Sequence, residues 1–150
     1  MDSLLSPHKI PKFEQNNIHE IIEKVRSTLS SEYSAIEFIR DYDISIPLIS
    51  CDYEKIYQAL FNIVKNACEI LTLSPFEEIN KIKLVTRSER KVIFHKKLHH
   101  TVLNISIIDN GPGIAKERIE EIFFPLVSGK DSGTGLGLPL SQNFITLHNG

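Results

Sequence analysis

The chain is 150 residues long, 41% hydrophobic and carries a net charge of -2, which suits one domain with a substantial core. The negative charge argues against nucleic acid as a partner, and the spacing of Cys51 and Cys68 argues against a metal site. Both cysteines lie in segments that resemble regular elements, without metal spacing, so we expect a reduced, cytoplasmic chain. No apolar run reaches the ~18 residues that cross a bilayer, so we expect no membrane segment in this chain.

Residues 1–16 are predicted to be a linker, and a surface helix follows them. Pro7 and Pro11 lie among polar residues, which suits a linker better than a regular element. From Asn17 onward apolar residues recur at helical spacing, and either Asn16 or Asn17 can serve as the N-cap. The stripe predicted to be buried contains Ile18, Ile21, Ile22, Val25 and Leu29.

Two short strands and a long helix are predicted next. Residues 35–40 and 47–51 have the pattern of strands, and Asp52 is placed to cap a helix over residues 53–71. The expected core stripe of this helix contains Ile56, Leu60, Ile63, Val64, Ala67 and Leu71.

Three polar residues of this helix, Asn62, Asn66 and Glu69, fall on the face that borders the core stripe. Asn62 and Asn66 are one helical turn apart, so their amide oxygens can act together. Because Mg²⁺ takes oxygen ligands, the asparagine pair is a candidate metal site. The alternative is a pair of solvated side chains.

Residues 81–94 and 101–109 are predicted to be two strands joined by a locally basic tip. His95 and His99 have the i, i+4 spacing of a zinc pair, but Lys96 stands where such motifs carry a general-base glutamate. We therefore favour an exposed turn over a metal site at this tip.

Five of the seven glycines fall in two short runs, residues 109–113 and 133–138. Glycine lets a ligand lie against peptide N–H groups, and the second run leads into a predicted helix over residues 139–148. Asp131 follows Lys130 where a P-loop requires serine or threonine, which excludes a P-loop. The G-x-G-x-G spacing of the second run also fits a dinucleotide fingerprint poorly.

Four segments, in this order, resemble the boxes of sensor histidine kinase ATP-binding domains. Residues 62–67 resemble the N box, 109–113 the first glycine box, 123–125 the F box and 133–138 the second glycine box. Three stretches are similar to nitrogen-regulation sensor kinases of the NtrB type: Arg40–Asp43, Phe61–Ala67 and Phe124–Gly129.

The resemblance implies an α+β fold of the Bergerat ATP-binding type. This is a two-layer α/β sandwich in which a mixed sheet is covered on one face by three helices. The catalytic domain would occupy residues 17–150. Since two further strands follow the last helix in the family, we expect the last strands of the fold to be missing at the C-terminus.

A nucleotide site is also implied by the resemblance. Asn66, with Asn62, would bind Mg²⁺ and take part in catalysis, and Asp109 would accept a hydrogen bond from the exocyclic amine of adenine. We expect Asp109 at a buried strand end, with a turn-capping role as the alternative. Further nucleotide contacts would come from Lys65, Gly111, Gly113, Lys130, Gly133, Thr134, Gly135, Leu136 and Gly137. For Lys65 a solvent-facing side chain is the alternative.

By the same resemblance, the chain would transfer the γ-phosphoryl group of ATP to a histidine on a separate dimerisation domain, for relay to a response regulator. A PII-type signalling protein would be a further partner. Glu69 departs from the family, which often has a basic residue there, and His8 between Pro7 and Lys9 lacks the context of a phosphoacceptor. The alternatives are a non-catalytic binding module, or an ATPase or anti-sigma-type serine kinase of the same superfamily.

Overall fold

The computed structural model describes residues 10–73, 78–113 and 148, which build two helices against a three-stranded sheet. The elements in chain order are β1 (Glu14–Asn16), α1 (Ile18–Glu32), β2 (Glu37–Asp41), β3 (Ile49–Cys51), α2 (Tyr53–Leu73), β4 (Lys81–Phe94) and β5 (Lys97–Asp109). The helix predicted to end at His148 lies outside the described residues, apart from His148 itself. Neither α1 nor α2 combines the length and hydropathy of a membrane-spanning segment.

The three-stranded sheet is mixed, as the family resemblance implies. Its strand order is β2-β4-β5, with β2 parallel to β4 and β4 antiparallel to β5. A parallel pair requires a crossover connection, and α2 lies in the connection between β2 and β4. β1 and β3 form a separate antiparallel pair. The expected α+β class with a mixed sheet is confirmed.

The core lies between the helices and the sheet face that carries Ile82, Leu84 and Thr86, each at most 2% exposed. These three residues alternate along β4 because successive side chains of a strand point to opposite faces. All five residues of the predicted α1 stripe are buried. In the predicted α2 stripe, Ile63 is half-buried, at the margin, and the other five are buried.

Both described helices begin at caps that the sequence predicts. The Asn17 side chain accepts a hydrogen bond from the backbone N–H of His19 at 2.9 Å. Asp52 Oδ1 accepts one from the backbone N–H of Lys55 at 3.1 Å. Each bond satisfies a donor that has no partner inside its helix, so the start of each helix is fixed.

Two local features differ from the sequence-based expectations. Residues 14–16, within the predicted linker, form β1 because β3 supplies a pairing partner. The basic tip is a turn of two residues, so β5 begins at Lys97 and not at Thr101. His95 and Lys96 adopt φ angles of 50° and 62°, the left-handed region that allows a two-residue turn to follow the strand twist.

A polar network ties α1 to the end of β2. Glu23 accepts hydrogen bonds from Arg26 at 2.6 Å and from Arg40 at 2.7 Å, and the Tyr42 hydroxyl donates to it at 3.2 Å. The Tyr42 ring also stacks on His19, with centroids 4.8 Å apart. Partial burial acts to raise the pKa of Glu23, but the two arginines outweigh it and hold that pKa below its ordinary value.

Replacing Glu23 with Gln should therefore destabilise the fold in a pH-dependent way. A carboxyl whose pKa is lowered by folding contributes stability above its unfolded pKa of about 4.3, and loses it as the pH falls through the folded value. We expect Glu23→Gln to lower the free energy of unfolding by ~1 kcal/mol at neutral pH, and by progressively less in acid.

Urea unfolding of both proteins over a series of pH values measures this difference. Glu78→Gln, at an exposed residue, is the matched control. A cost of Glu23→Gln that stays constant from neutral pH into acid would contradict the network described here.

Candidate functional site

The polar face of α2 carries the residues predicted to bind Mg²⁺. Asn62, Asn66 and Glu69 are half-buried, and the two asparagines stand one helical turn apart. The described part of the chain contains no group of three or more His, Cys, Asp or Glu suited to a metal. Amide oxygens nevertheless fit Mg²⁺, because this ion takes few protein ligands and fills its octahedron with water and phosphate oxygens.

Lys65 lies between the two asparagines in sequence and packs on an aromatic ring. Its Nζ stands 5.8 Å from the centroid of the Phe61 ring, which itself stacks on Tyr57 at 5.8 Å. A cation–π contact of this kind holds the lysine along the helix surface. Since this contact already accounts for the position of Lys65, its assignment to a phosphate stays a prediction.

The first glycine box is attached to the start of β4 through Asn110. The Asn110 side chain donates to the carbonyl oxygen of Ile79 at 2.9 Å and accepts from the backbone N–H of Lys81 at 2.8 Å. Sequence reasoning missed this residue. The sequence pattern that could have identified it is an asparagine between the end of a strand and Gly-Pro-Gly. An amide side chain at such a place commonly forms hydrogen bonds with neighbouring backbone groups.

Asp109 ends β5, and the expectation that it is buried there is wrong. The residue is exposed, as is Ile108 before it, because β5 is the edge strand of the described sheet. Asp109 Oδ1 accepts a hydrogen bond from the backbone N–H of Gly111 at 2.8 Å, which is a turn-capping bond. Within the described residues Oδ2 makes no hydrogen bond, so the turn-capping role leaves one oxygen for a ligand.

Gly111 brings this turn against the end of α2. A Cβ atom at Gly111 would stand 2.9 Å from Asp109 Oδ1 and 3.3 Å from Leu71 Cδ2. Gly113 has a φ of 79°, which side-chain-bearing residues rarely adopt, and none of the described residues comes within 4 Å of the place of its missing Cβ. The structure thus brings the first glycine box beside the helix that carries the asparagine pair.

The other half of the predicted site lies outside the described residues. This applies to Lys130, Gly133, Thr134, Gly135, Leu136 and Gly137, and to the F box at residues 123–125. Their roles stay predictions from the sequence.

Residues 51–150 match the model of a family described as histidine kinase-, DNA gyrase B-, and HSP90-like ATPase. The chain belongs to this ATPase family. The matched range begins just before the cap of α2 and contains the asparagine pair and both glycine boxes. Membership of the ATPase family confirms the resemblance drawn from the four boxes and implies that a nucleotide is used.

Relatives within the ATPase family point to histidine kinases. The "Sensory histidine kinase/phosphatase NtrB" of Vibrio alginolyticus is 44% identical over 151 residues, which cover 100% of this chain and 42% of the relative. The catalytic domain of histidine kinase ThkA superposes with a TM-score of 0.72 at 28% identity, covering 89% of this chain and 80% of that domain. ThkA in complex with response regulator protein TrrA superposes with a TM-score of 0.71 at 24% identity, covering 99% of this chain and 40% of the ThkA chain. At this identity the likeness shows the fold alone.

Replacing Gly111 with Ala should displace the Asp109 carboxylate, because a Cβ cannot stay 2.9 Å from Oδ1. Loss of the bond to the Gly111 N–H should lower the free energy of unfolding by about 1–2 kcal/mol. In a protein that already carries Asp109→Ala, the same substitution should cost less, since the displaced oxygen is absent.

Thermal unfolding of the four proteins in this double-mutant cycle gives the coupling energy between positions 109 and 111. Gly113→Asn is the control, because asparagine tolerates the left-handed φ of that position. A coupling energy near zero would contradict the contact between Gly111 and Asp109.

Proposed function

We propose that this chain is the ATP-binding catalytic domain of a sensor histidine kinase of the NtrB type, which passes the γ-phosphoryl group of ATP to a histidine on a separate dimerisation domain. Membership of the ATPase family supports nucleotide binding, and 44% identity to NtrB supports the kinase type. The observation that carries the proposal is the glycine turn of Gly111, packed against Leu71 of the helix that bears Asn62 and Asn66.

Asn62 and Asn66 are the residues proposed to hold Mg²⁺ and to take part in catalysis. When bound, the ion supplies positive charge at the phosphate oxygens, where phosphoryl transfer requires it. Amide side chains are neutral, so they position a cation without cancelling its charge. The buried stripe of α2 prevents the helix from rotating and so fixes where these amides lie.

Asp109 is proposed to select adenine. An ionised carboxylate only accepts hydrogen bonds, and the exocyclic amine of adenine donates one where guanine has an oxygen. The bond from the Gly111 N–H to Oδ1 orients the carboxylate and leaves Oδ2 for the base. Gly111 and Gly113 have no Cβ, so the base can approach the backbone of the turn.

The residues proposed to contact the phosphates lie outside the described part of the chain, apart from Lys65. Backbone N–H groups would come from Gly133, Thr134, Gly135, Leu136 and Gly137, and positive charge from Lys65 and Lys130. Glu69 is half-buried on the same face of α2 as the asparagine pair, at a position where the family often has a basic residue. The proposed site therefore lacks one positive contact to the phosphates.

The proposed partners in the cytoplasm are the histidine-bearing dimerisation domain, a response regulator and a PII-type signalling protein. The relative ThkA was solved with the response regulator protein TrrA, which supports the second of these. Support for a PII-type protein comes from the resemblance to NtrB alone. The chain spans about 42% of the length of its NtrB relatives, so these partners belong to the proposal for the whole kinase.

Asp109→Asn tests the adenine assignment. Asparagine keeps an oxygen that accepts from the Gly111 N–H, so the turn is kept. Its amide NH2 group, which only donates, replaces the second carboxylate oxygen, so the acceptor for adenine is lost. We expect calorimetry to show ~10-fold weaker ATP binding with little change in melting temperature. An ATP affinity of Asp109→Asn equal to that of the wild type would contradict the assignment of Asp109 to adenine.

Transfer activity is tested by mixing the chain with the phosphoacceptor domain of an NtrB relative and ATP labelled on its γ-phosphate. We expect label on the acceptor histidine, and none with Asn66→Ala, whereas Asn104→Ala at an exposed asparagine of β5 should behave as wild type.

Binding of ATP without transfer of the label would favour the non-catalytic alternative. Hydrolysis near ~1 per second would favour an ATPase, although Asn62 stands where superfamily ATPases carry a general base and an amide cannot act as one.

A further inference from the structure

A buried hydroxyl group joins α1, β4 and the end of β2. Thr86 of β4 is 0% exposed, and its Oγ1 lies 2.8 Å from Nε2 of His19, in the first turn of α1. The same oxygen accepts a hydrogen bond from the backbone N–H of Asp43 at 3.0 Å. We name His19, Asp43 and Thr86 the hydroxyl junction. None of the three belongs to the proposed nucleotide site, so the junction does not depend on the proposed function.

The hydrogen bonds of the hydroxyl junction determine where its protons lie. A threonine hydroxyl donates one hydrogen bond and accepts up to two. Oγ1 of Thr86 already accepts from the Asp43 N–H, and among the described residues its own hydrogen has no acceptor other than Nε2. A wholly buried hydroxyl needs a partner, so it donates to Nε2. His19 is therefore neutral, with its proton on Nδ1.

The groups that face His19 from α1 and β2 favour this neutral ring. The first turn of a helix disfavours a cation because of the helix dipole. Tyr42 stacks on the ring with centroids 4.8 Å apart, and its hydroxyl donates to Glu23, the acid one turn further along α1. Glu23 is itself paired with Arg26 and Arg40, and these two charges offset its attraction for a protonated ring.

The other carboxylates near the hydroxyl junction are engaged or solvated. Asp43 accepts hydrogen bonds from Ser45 and from the backbone N–H of Ser88. Asp41 is paired with two basic side chains of β4. Glu20 is exposed, where water screens its charge. Among the described residues no carboxylate forms an ion pair with the imidazole, so the buried hydroxyl decides its protonation state.

We propose that the hydroxyl junction is a pH-sensitive switch that opens when His19 binds a proton. A protonated Nε2 is a donor, so three hydrogens would surround Oγ1 and the Thr86 hydroxyl would lose its acceptor inside the core. Movement of the imidazole away from Thr86 removes this conflict and lets water reach the junction. The Asp43 N–H then loses its buried partner, and residues 42–48, which join β2 to β3, are held less firmly.

The direction of the pH dependence follows from the proton balance. The open junction carries one proton more than the closed junction, so acid favours the open form. Each unit of pH lowers the ratio of closed to open molecules by up to about ten-fold within the range of histidine titration, about pH 8 to 5. Above this range the junction stays closed.

NMR of the isotopically labelled chain tests both the proton position and the opening. The ring nitrogen resonances of His19 show which nitrogen carries the proton, and we expect it on Nδ1 at neutral pH. Exchange of the Asp43 backbone amide, corrected for the intrinsic effect of pH on exchange, reports the opening. We expect the protection of this amide to fall by about ten-fold or more between about pH 7.5 and 5.5.

His19→Gln is the decisive variant, because its amide oxygen can accept from the Thr86 hydroxyl and cannot titrate. Protection of the Asp43 amide in this variant should change by less than about two-fold over the same pH range. His95→Asn is the matched control and should behave as wild type. It removes an exposed histidine from the β4–β5 turn, and asparagine tolerates the left-handed φ there. Thermal scans at each pH establish that the three proteins are folded.

A proton on Nε2 of His19 at neutral pH overturns the inference, and so does wild-type protection of the Asp43 amide that ignores pH. An unchanged pH dependence in His19→Gln assigns the effect to another group and overturns it as well. Equal loss of protection in acid at the core amides of Ile82 and Leu84 shows a general loss of stability, which also contradicts a local switch. The proposed function is tested separately, by ATP binding and transfer.

Discussion

Burial of the apolar stripe of α2 is the constraint on which the rest of the structure depends. Leu60, Val64 and Leu71 are at most 5% exposed, and each such side chain contributes about 1.5–3 kcal/mol when it is fully buried. A rotation of α2 about its axis would expose all three at once, so the helix has one orientation. That orientation also determines where Asn62 and Asn66 lie, and the candidate site takes its geometry from the core.

The parts of the fold that the sequence predicted well are those with a local cause. Helical spacing of apolar residues identified the buried side of α1, since a 3.6-residue repeat is visible without knowledge of the neighbours. Asn17 and Asp52 were recognisable as caps because the capping bond spans only two or three residues. The four boxes led to the ATPase family because their residue types and their order both match.

The parts that the sequence did not predict depend on contacts between distant residues. Residues 14–16 become β1 only because residues 49–51 pair with them, which no local pattern encodes. The exposure of Asp109 follows from the place of β5 at the edge of the described sheet, a property of strand order and not of the strand's own residues. Asn110 acts through Ile79 and Lys81, far away in sequence and adjacent only after β4 and β5 have paired.

The β4–β5 hairpin also bears on the order in which the chain folds. Because only His95 and Lys96 separate its strands, the hairpin can close from its tip through small loops. The parallel pairing of Glu37 with Lys81 closes a loop of about 40 residues and carries a larger entropic cost. The hairpin is therefore expected to form early and to offer β4 as the edge on which β2 docks. α2 lies within the loop that closes late, between β2 and β4. The helix that bears the asparagine pair therefore packs against the completed sheet only among the last steps of folding.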